Sequence, residues 1–407
     1  MTAAAPAPAA AASPGRLPEA GIARALLEAE LAELCARDHG YGRESVFNSI
    51  SSAPLPIAAA VYRRFLDRNL GDPRIFPGPA EAERRVGEML ADLLGCPPAG
   101  GCLTSGGTEA NLLAMSLALD DYRARGGDPA RAAILAPETV HFSFDKIARL
   151  LRMRLLRTPL DGRLRGDVPA LVRRAGAETA AIVVSAGASE TGAVDDVAAA
   201  AAEAERRGIY LHVDAATGGF LLPFAPAALY DGPRVDFAAP GVRSVTVDPH
   251  KYGYAPIPAG YLLLRRAEDE RQLHVASHYA GTHDHRTLLG TRPGAAALAV
   301  YAALRSLGRA GYRSIVADLF SRRAHLLRLL ADAGFTLAAA PDLTVVAVRV
   351  GGSLRMLAAL EAEGLLASVS RRFDFLRIVV QRHTTRPALA RLVAAMARHE
   401  RLRERPA

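Results

Sequence analysis

Hydrophobic positions follow two alternating patterns through the first two thirds of the chain. Over residues 79–94 apolar side chains recur every three or four positions, which predicts a helix with one buried face that Gly95 ends. A second helical run covers residues 108–119. Short apolar runs stand between helical stretches at 132–135, 180–184, 209–213, 244–247 and 261–264. Such runs, separated by helices, predict a mainly parallel sheet covered on both faces.

The last third has a different order of elements. Residues 293–320 predict one long helix, interrupted near Gly308 and Gly311. A helix at 323–333 is followed by strand-like runs at 343–350 and 376–380 and helical runs at 354–363 and 387–401. We therefore expect an α/β protein. Its predicted parts are a disordered tail (1–18), an N-terminal helical segment (19–55), a large domain (56–310) and a small α+β C-terminal domain (311–407).

Composition narrows the class of protein. Half of the 407 residues are hydrophobic and 23% are charged, which excludes a largely disordered, collagen-like or coiled-coil chain. The net charge of +8 favours nucleic-acid binding, but the basic residues form no dense block. Cys35, Cys96 and Cys102 are too few for a disulfide framework or a zinc site, so we expect a reducing cytoplasm. We expect no membrane span, because no long apolar run occurs.

Lysine is nearly absent. Of 50 basic side chains only Lys146 and Lys251 are lysines, and the other 48 are arginines. A lysine amine can form a Schiff base, whereas an arginine in a protein stays protonated. Lys251 follows the apolar run at 244–247, and ligands of open α/β sheets bind beyond such strand ends. An ordinary solvated lysine is the alternative for Lys251, and Lys146 is interpreted as a charge on a helix surface.

Three other positions at strand ends carry candidate chemistry. Asp214 closes the run at 209–213 and has small neighbours, so it has room to pair with the ring nitrogen of a flat cofactor. The alternatives for Asp214 are a helix N-cap and a buried ion pair. The glycine loop, residues 105–108, opens a helix, where backbone amides bind phosphate. His141 follows a further strand and is either a stacking ring or a core residue. A phosphate cradle, a stacking ring, a carboxylate and an amine together point to pyridoxal phosphate.

These segments resemble a known family. The chain is similar from about Arg43 to His383 to the group II pyridoxal-dependent decarboxylases, and within them to the archaeal-type L-tyrosine/L-aspartate decarboxylases. The motifs that carry the resemblance are Ser105-Gly-Gly-Thr-Glu-Ala-Asn111, His141-Phe-Ser-Phe144, His212-Val-Asp-Ala-Ala216, Asp248-Pro-His-Lys251 and Gly290-Thr-Arg292, with Asn69-Leu-Gly-Asp-Pro73 before them.

The resemblance implies the fold and the site. It implies the aspartate-aminotransferase fold (fold type I) and a homodimer with shared active sites. It also implies that Lys251 is the Schiff-base lysine, that Asp214 pairs with the pyridine nitrogen and that His141 stacks on the ring. The further cofactor-binding residues that it implies are Gly106, Gly107, Thr108, Ser189, Ala216, His250 and Thr291. Tyr279 lies where this family has a catalytic loop and is the expected proton donor.

Two departures from the family pattern concern the substrate. The chain has Gly187-Ala188-Ser189 where relatives carry Gly-Thr-Thr, and its loop at 281–286 also differs. Arg377 resembles a carboxylate-binding arginine of this fold, with a structural salt bridge as the alternative. We expect a decarboxylase that removes the α-carboxylate of an aromatic or acidic L-amino acid. A carbon–carbon lyase that resembles sphingosine-1-phosphate lyase is the rival interpretation, although Ile257 stands where that group has a lysine.

Overall fold

The computed structural model describes residues 17–95, 100–233, 235, 238–278 and 284–404. The chain forms two compact units, residues 1–43 and 44–407. The described part of the first unit contains helix α1 (Arg24–Leu34) and one helical turn at Tyr41–Arg43. Most of the predicted tail, residues 1–18, lies outside the described residues.

The second unit alternates helices and strands. Its helices are α2 (Pro56–Arg64), α3 (Pro77–Leu94), α4 (Gly107–Ala124), α5 (Ser143–Leu151), α6 (Val168–Arg174), α7 (Val197–Arg207), α8 (Ala267–Gln272), α9 (Gly294–Asp332), α10 (Ser353–Ala362) and α11 (Arg386–Glu404). Its strands are β1 (Gly100–Thr104), β2 (Ala133–Pro137), β3 (Arg154–Thr158), β4 (Thr179–Ser185), β5 (Tyr210–Asp214), β6 (Val242–Val247), β7 (Gly260–Leu264), β8 (Val275–Ala276), β9 (Asp284–His285), β10 (Val345–Val348), β11 (Ser368–Ser370) and β12 (Phe375–Val379).

A seven-stranded sheet forms the centre of this unit. The strand order is β1-β7-β6-β5-β4-β2-β3, and only β7 runs antiparallel to its neighbours. The mainly parallel sheet predicted from the sequence is therefore confirmed. The apolar pattern missed β1 and β3, which are the two edge strands. β1 begins with two glycines and β3 carries two arginines, so neither reads as a continuous apolar run.

Helix α9 corrects one detail of the prediction. Gly308 breaks the helix as expected (φ 57°, ψ −179°), but Gly311 is helical. The predicted gap between residues 320 and 323 is also wrong, because the helix continues without a second break to Asp332. Buried Phe320, Arg323 and Leu326 keep the helical spacing across that point, so one face stays covered by the core. We keep the division between residues 310 and 311 as a proposal, since it lies close to the kink.

A second, antiparallel sheet of order β10-β12-β11 forms the C-terminal layer together with α10 and α11. Its core contains Met356, Leu360, Leu389 and Leu392. The sequence pattern predicted β10, β12 and both helices, and it missed the three-residue β11. In the part of the chain that the structure describes, no helix is long and apolar enough to cross a membrane.

The large sheet brings its strand ends together at one edge. In β5 and β6, Asp214 is paired in register with Thr246, and β6 ends one residue later at Val247. In β4, Ser185 is paired with Asp214. The segments that follow β4, β5 and β6 therefore leave the sheet side by side, which is where open α/β sheets bind ligands.

Candidate active site

Lys251 lies in the lysine turn, residues 248–254, which directly follows β6. Its Nζ atom is 2.9 Å from Asp248 Oδ2. The Asp248 side chain is only 2% exposed, and its second oxygen has no hydrogen-bond partner among the described residues. A buried carboxylate oxygen without a partner is costly, so Oδ1 is available to a group that binds here.

The lysine turn is held rigidly against the C-terminal part of the chain. Tyr254 has a φ of 57°, a left-handed conformation that is uncommon for a bulky residue. Its hydroxyl donates to Gln381 Oε1 at 2.8 Å. The Tyr312 hydroxyl donates to the carbonyl of Gly253 at 3.0 Å. These buried contacts fix the backbone that carries Lys251.

Asp214, at the end of β5, has two donors of its own. Its Oδ1 accepts from the Ala216 amide at 3.1 Å, and its Oδ2 accepts from Asn111 Nδ2 at 3.0 Å. The residue is 8% exposed. Both carboxylate oxygens of Asp214 therefore accept a hydrogen bond from an N–H group.

The glycine loop approaches both of these segments. A Cβ atom on Gly107 would lie 3.0 Å from Asp248 Oδ2 and 3.3 Å from the Ala216 Cβ. One on Gly106, whose φ is 150°, would lie 3.3 Å from His250 Cε1. Glycine is therefore what allows this close approach. Because α4 begins at Gly107, its first amide groups lack partners within the helix and are suited to a phosphate.

His141 lies just before α5. The Ser143 amide donates to its Nδ1 at 3.3 Å, and the Ser143 hydroxyl lies 2.9 Å from the same atom, so the neutral ring carries its proton on Nε2. Burial lowers the pKa of His141 below its usual value, and the nearby carboxylate of Asp214 opposes that shift. Lys251 also acts electrostatically on the ring. The structure thus brings His141 near the two residues with which the sequence grouped it.

Other predicted residues lie at different places. Thr291 is exposed, and Lys146 is exposed on α5. Ser189 follows β4 and accepts through its carbonyl from Arg377 Nε at 2.6 Å. Tyr279 lies outside the described residues.

Arg377 contacts neutral groups among the described residues, so the salt bridge is not seen there, and its role in binding a carboxylate stays a prediction. It also donates to the Asn48 carbonyl at 2.9 Å and to Ser368 Oγ at 3.0 Å. None of these partners is a carboxylate. Burial lowers the pKa of Arg377 to about 10. In the described structure, Arg377 therefore joins β12 to the loop after β4 through backbone carbonyls.

Two buried glutamates hold the segment that carries Thr291. Glu83 accepts from Arg292 (2.7 Å) and Arg286 (3.1 Å) and from the Leu103 amide (2.8 Å). Burial opposes ionisation of Glu83, but the two arginines outweigh it and lower its pKa.

Glu109 accepts from the Ser105 amide at 2.6 Å and from the Leu288 amide at 3.0 Å. The glycine loop and residues 286–292 are therefore tied together.

Several of these residues were missed as functional candidates. Asn111 and Asp248 appeared only inside motifs, and Glu83 was not singled out. A signal existed for Asn111, because it interrupts an apolar helix face, and for Asp248, because it stands three residues before Lys251. Nothing local marks Glu83, whose partners Arg286 and Arg292 are about two hundred positions away in the sequence.

The residues present fit pyridoxal phosphate. The glycine loop forms a cradle that a Cβ would fill, and the Lys251 amine points from a rigid turn beside Asp248, whose Oδ1 has no partner. Asp214 lies at the neighbouring strand end as an acceptor. Phosphate, aldehyde and ring nitrogen each have a residue of matching chemistry here.

Comparisons with known proteins agree. The family described as pyridoxal-dependent decarboxylase conserved domain matches residues 56–351. A probable L-tyrosine/L-aspartate decarboxylase of Methanothrix thermoacetophila is 39% identical over 368 residues, 90% of this chain and 93% of the relative. A probable L-aspartate decarboxylase of Pyrococcus abyssi is 36% identical, over 91% of this chain and 96% of the relative.

Solved structures agree on the fold. The sphingosine-1-phosphate lyase of Burkholderia pseudomallei has a TM-score of 0.84 at 26% identity and covers 95% of this chain and 94% of its own. The glutamate decarboxylase of Lactobacillus brevis has the same TM-score at 22% identity, covers 98% of both chains and is similar in fold alone. By sequence, fold and the chemistry of its strand ends, the chain belongs to the pyridoxal-dependent decarboxylases, which use pyridoxal 5′-phosphate to decarboxylate amino acids.

Proposed function

We propose that the substrate is L-tyrosine or L-aspartate and that the product is the corresponding amine and CO₂. The names of the relatives at 36–39% identity support these two amino acids. The observation that carries the site assignment is the close approach of Gly107 to Asp248 and Ala216. A Cβ atom on Gly107 would lie 3.0 Å from Asp248 Oδ2 and 3.3 Å from the Ala216 Cβ. This close approach supports a phosphate site at the glycine loop, beside the turn that carries Lys251.

The residues take the following roles in this proposal. Lys251 supplies the primary amine that attaches the cofactor, and Asp248 orients that amine through the 2.9 Å contact. Gly106, Gly107, Thr108 and His250 hold the phosphate. Asp214 accepts a hydrogen bond from the ring nitrogen. When bound, pyridoxal phosphate supplies the electron sink that accepts the electron pair left by the departing carboxylate.

Other residues orient the reactants. His141, neutral and protonated on Nε2, stacks on the cofactor ring and offers an N–H on its far side from Ser143. Ser189 and Ala216 line the cofactor. Tyr279 is the proposed donor of the proton that replaces the carboxylate. A half-buried, neutral imidazole such as that of His141 can stack and donate without adding a positive charge that would compete with the ring nitrogen for Asp214.

A homodimer with shared active sites is part of the proposal. Leu288 and Leu289 are 63% and 43% exposed, and Ile257, in the loop after the lysine turn, is 63% exposed. Exposed apolar side chains close to a polar site favour burial by a second copy of the chain. Thr291, exposed on the same segment, would then reach the phosphate bound by the partner subunit. A cytoplasmic location, expected from the few cysteines, belongs to the same proposal.

The experiment is product analysis by mass spectrometry. The purified chain with pyridoxal phosphate is given L-tyrosine, L-aspartate and L-glutamate separately, with Lys251→Ala as the inactive control. We expect one of the first two to lose the mass of CO₂. Decarboxylation of L-glutamate alone would contradict the proposed substrate.

The carbon–carbon lyase is the second candidate, supported by the 26% identity to sphingosine-1-phosphate lyase. A phosphorylated long-chain amino alcohol tests it directly, because a lyase would release an aldehyde and an amine without CO₂. Ile257 offers no charge to a phosphate on such a substrate, and we therefore expect no cleavage. Aldehyde release would replace the decarboxylase proposal for the reaction.

A further inference from the structure

A row of buried polar side chains lies behind Asp214. His212 and Asp214 are two residues apart on β5 and so face the same side of the sheet. Ser244 is paired with His212 on β6, and Asn111 comes from α4, the helix that begins at the glycine loop. Asn111 is 1% exposed, and His212 and Ser244 are fully buried. Neither the activity nor the fold alone requires three polar groups in this position.

In this row each side chain donates its hydrogen bond to the neighbour that lies closer to Asp214. Asn111 Nδ2 lies 3.0 Å from Asp214 Oδ2, and an ionised carboxylate only accepts, so the amide donates. Asn111 Oδ1 therefore faces His212 Nε2 at 2.9 Å and accepts a proton from it.

The tautomer of His212 follows from this. A neutral imidazole carries one N–H, so His212 Nδ1 is an acceptor, and the Ser244 hydroxyl at 2.8 Å donates to it. Burial lowers the pKa of His212 to about 4, which keeps the ring neutral at ordinary pH. Thr246 Oγ1, at 3.4 Å from Nε2, is a longer second contact of the same N–H.

We infer that Ser244, His212 and Asn111 are positioning residues that align three successive donors toward Asp214 and fix the orientation of its carboxylate toward the ring nitrogen of the cofactor. The inference rests on the role proposed above for Asp214. Each donor in such a chain is polarised by the one before it, and a low-dielectric interior strengthens the effect. Without His212, Asn111 Oδ1 loses its donor, so the amide that donates to Asp214 is no longer polarised or held in place from behind.

A test must separate this role from simple packing. The full-length chain, freed of cofactor, is titrated with pyridoxal phosphate and with its 1-deaza analogue, in which carbon replaces the ring nitrogen. The ratio of the two dissociation constants reports only the interaction that involves that nitrogen. Binding is followed by the quenching of protein fluorescence, which does not depend on turnover.

The expected changes are specific to the natural cofactor. His212→Leu and Ser244→Ala should each reduce the preference for pyridoxal phosphate over the analogue by about fivefold, the scale expected for loss of one hydrogen bond between neutral groups. His212→Gln should keep the preference to within about twofold, because the glutamine N–H can replace Nε2–H. If His212→Leu does not fold, Ser244→Ala decides the question alone.

The controls distinguish failure of this inference from failure of the proposed function. Ser52→Ala removes the hydroxyl of another buried serine–histidine pair, Ser52 with His383 at 2.9 Å, and should leave the preference unchanged. Asp214→Ala should abolish the preference. If it does but His212→Leu and Ser244→Ala do not reduce it, or if those two weaken binding of both compounds equally, the inference is wrong. A preference that survives Asp214→Ala would overturn the role of Asp214 as well.

Discussion

Asp248 Oδ2 lies 2.9 Å from the Nζ atom of Lys251, which follows it by three residues in the lysine turn. The other carboxylate oxygen, Asp248 Oδ1, has no hydrogen-bond partner among the described residues. The carboxylate is buried and the amine is partly exposed, so Asp248 sets the position of the amine more than the reverse. A hydrogen bond to a charged group contributes about 1.5–3 kcal/mol. This relationship makes Asp248 the residue on which the geometry of Lys251 depends.

We therefore expect Asp248→Asn to fold normally and to lower kcat by about ten- to a hundredfold, because Lys251 loses its counter-charge while the side-chain shape is kept. Steady-state kinetics at saturating cofactor measure this. Asp121→Asn is the control, since that aspartate also pairs with basic side chains but on the outer end of α4. Equal activity of Asp248→Asn and the unchanged protein would show that Asp248 does not orient the amine.

The two lysines of the chain form a natural pair of variants. Lys251→Ala should remove all activity and the visible absorption of the bound cofactor, because no other amine stands at the site. Lys146→Ala should keep both, since Lys146 is exposed on α5 with its Nζ 5.1 Å from the centre of the Phe142 ring. Absorption spectra and product formation are recorded for both proteins. Visible absorption that persists in Lys251→Ala and disappears in Lys146→Ala would reverse the assignment.

Gly107 tests the phosphate cradle. A Cβ atom there would meet Asp248 Oδ2 at 3.0 Å and Ala216 at 3.3 Å, so Gly107→Ala fills the space at the start of α4. We expect the dissociation constant of pyridoxal phosphate to rise by about tenfold or more, equal to about 1.4 kcal/mol, with little change in melting temperature of the cofactor-free protein. Gly162→Ala, where a Cβ would meet no atom within 4 Å, is the control. An unchanged affinity of Gly107→Ala for pyridoxal phosphate would show that the phosphate does not bind at the start of α4.

The site residues differ in how far the sequence alone could predict them. Lys251 and Asp214 follow strands whose apolar runs are unmistakable, so their place at one sheet edge could be predicted from the pattern. His212 was read as part of a motif, although its alternation with Asp214 already placed both on one face of β5. The tautomer of His212 and the direction of the Asn111 amide could not be predicted, because they depend on partners from β6 and α4.

The limits of the fold prediction have the same physical origin. The edge strand β3 and the short β11 bury little apolar surface, so hydrophobic periodicity carries no signal for them. For Arg377 the sequence left a carboxylate-binding role and a structural salt bridge open, and the first of these stays a prediction. Its actual partners are carbonyls of Ser189 and Asn48, and a backbone carbonyl has no sequence signature.

Glu83 connects α3, β1 and the segment that carries Thr291. Glu83→Gln leaves the buried Arg292 without its counter-charge, while Arg286 keeps Glu270, so we expect a loss of about 3–5 kcal/mol in the free energy of unfolding. Glu81→Gln, on the exposed face of the same helix beside Arg84 and Arg85, is the matched control. Its free energy of unfolding should equal that of the unchanged protein. Urea denaturation measures both variants. Similar stability of the two would show that the Glu83 cluster contributes nothing beyond a surface ion pair.

The lowered pKa of Glu83 predicts that the free energy of unfolding decreases at acidic pH. The pKa of Glu83 is lowered in the folded chain, so the unfolded chain binds a proton at a higher pH than the folded one. The stabilisation from Glu83 is therefore complete above the unfolded pKa, about 4.3, and is lost as the pH falls through the folded value. Glu83→Gln should flatten this part of the curve of unfolding free energy against pH. A curve of unchanged slope in that variant would contradict the ionised state assigned to Glu83.

His212 predicts a second pH dependence at higher pH. Burial lowers the pKa of His212 to about 4 in the folded chain, whereas an exposed histidine has a pKa near 6.5. Between these two pH values His212 is protonated in the unfolded chain and neutral in the folded chain. The free energy of unfolding should fall as the pH is lowered through this window, with at most about 3 kcal/mol from this residue. His212→Gln keeps the donor to Asn111 but cannot titrate, so its loss of stability between about pH 7 and pH 4.5 should be smaller than that of the unchanged chain. Urea denaturation at the two pH values gives the difference. If both proteins lose the same stability, His212 is not the neutral, buried ring that orients Asn111 toward Asp214.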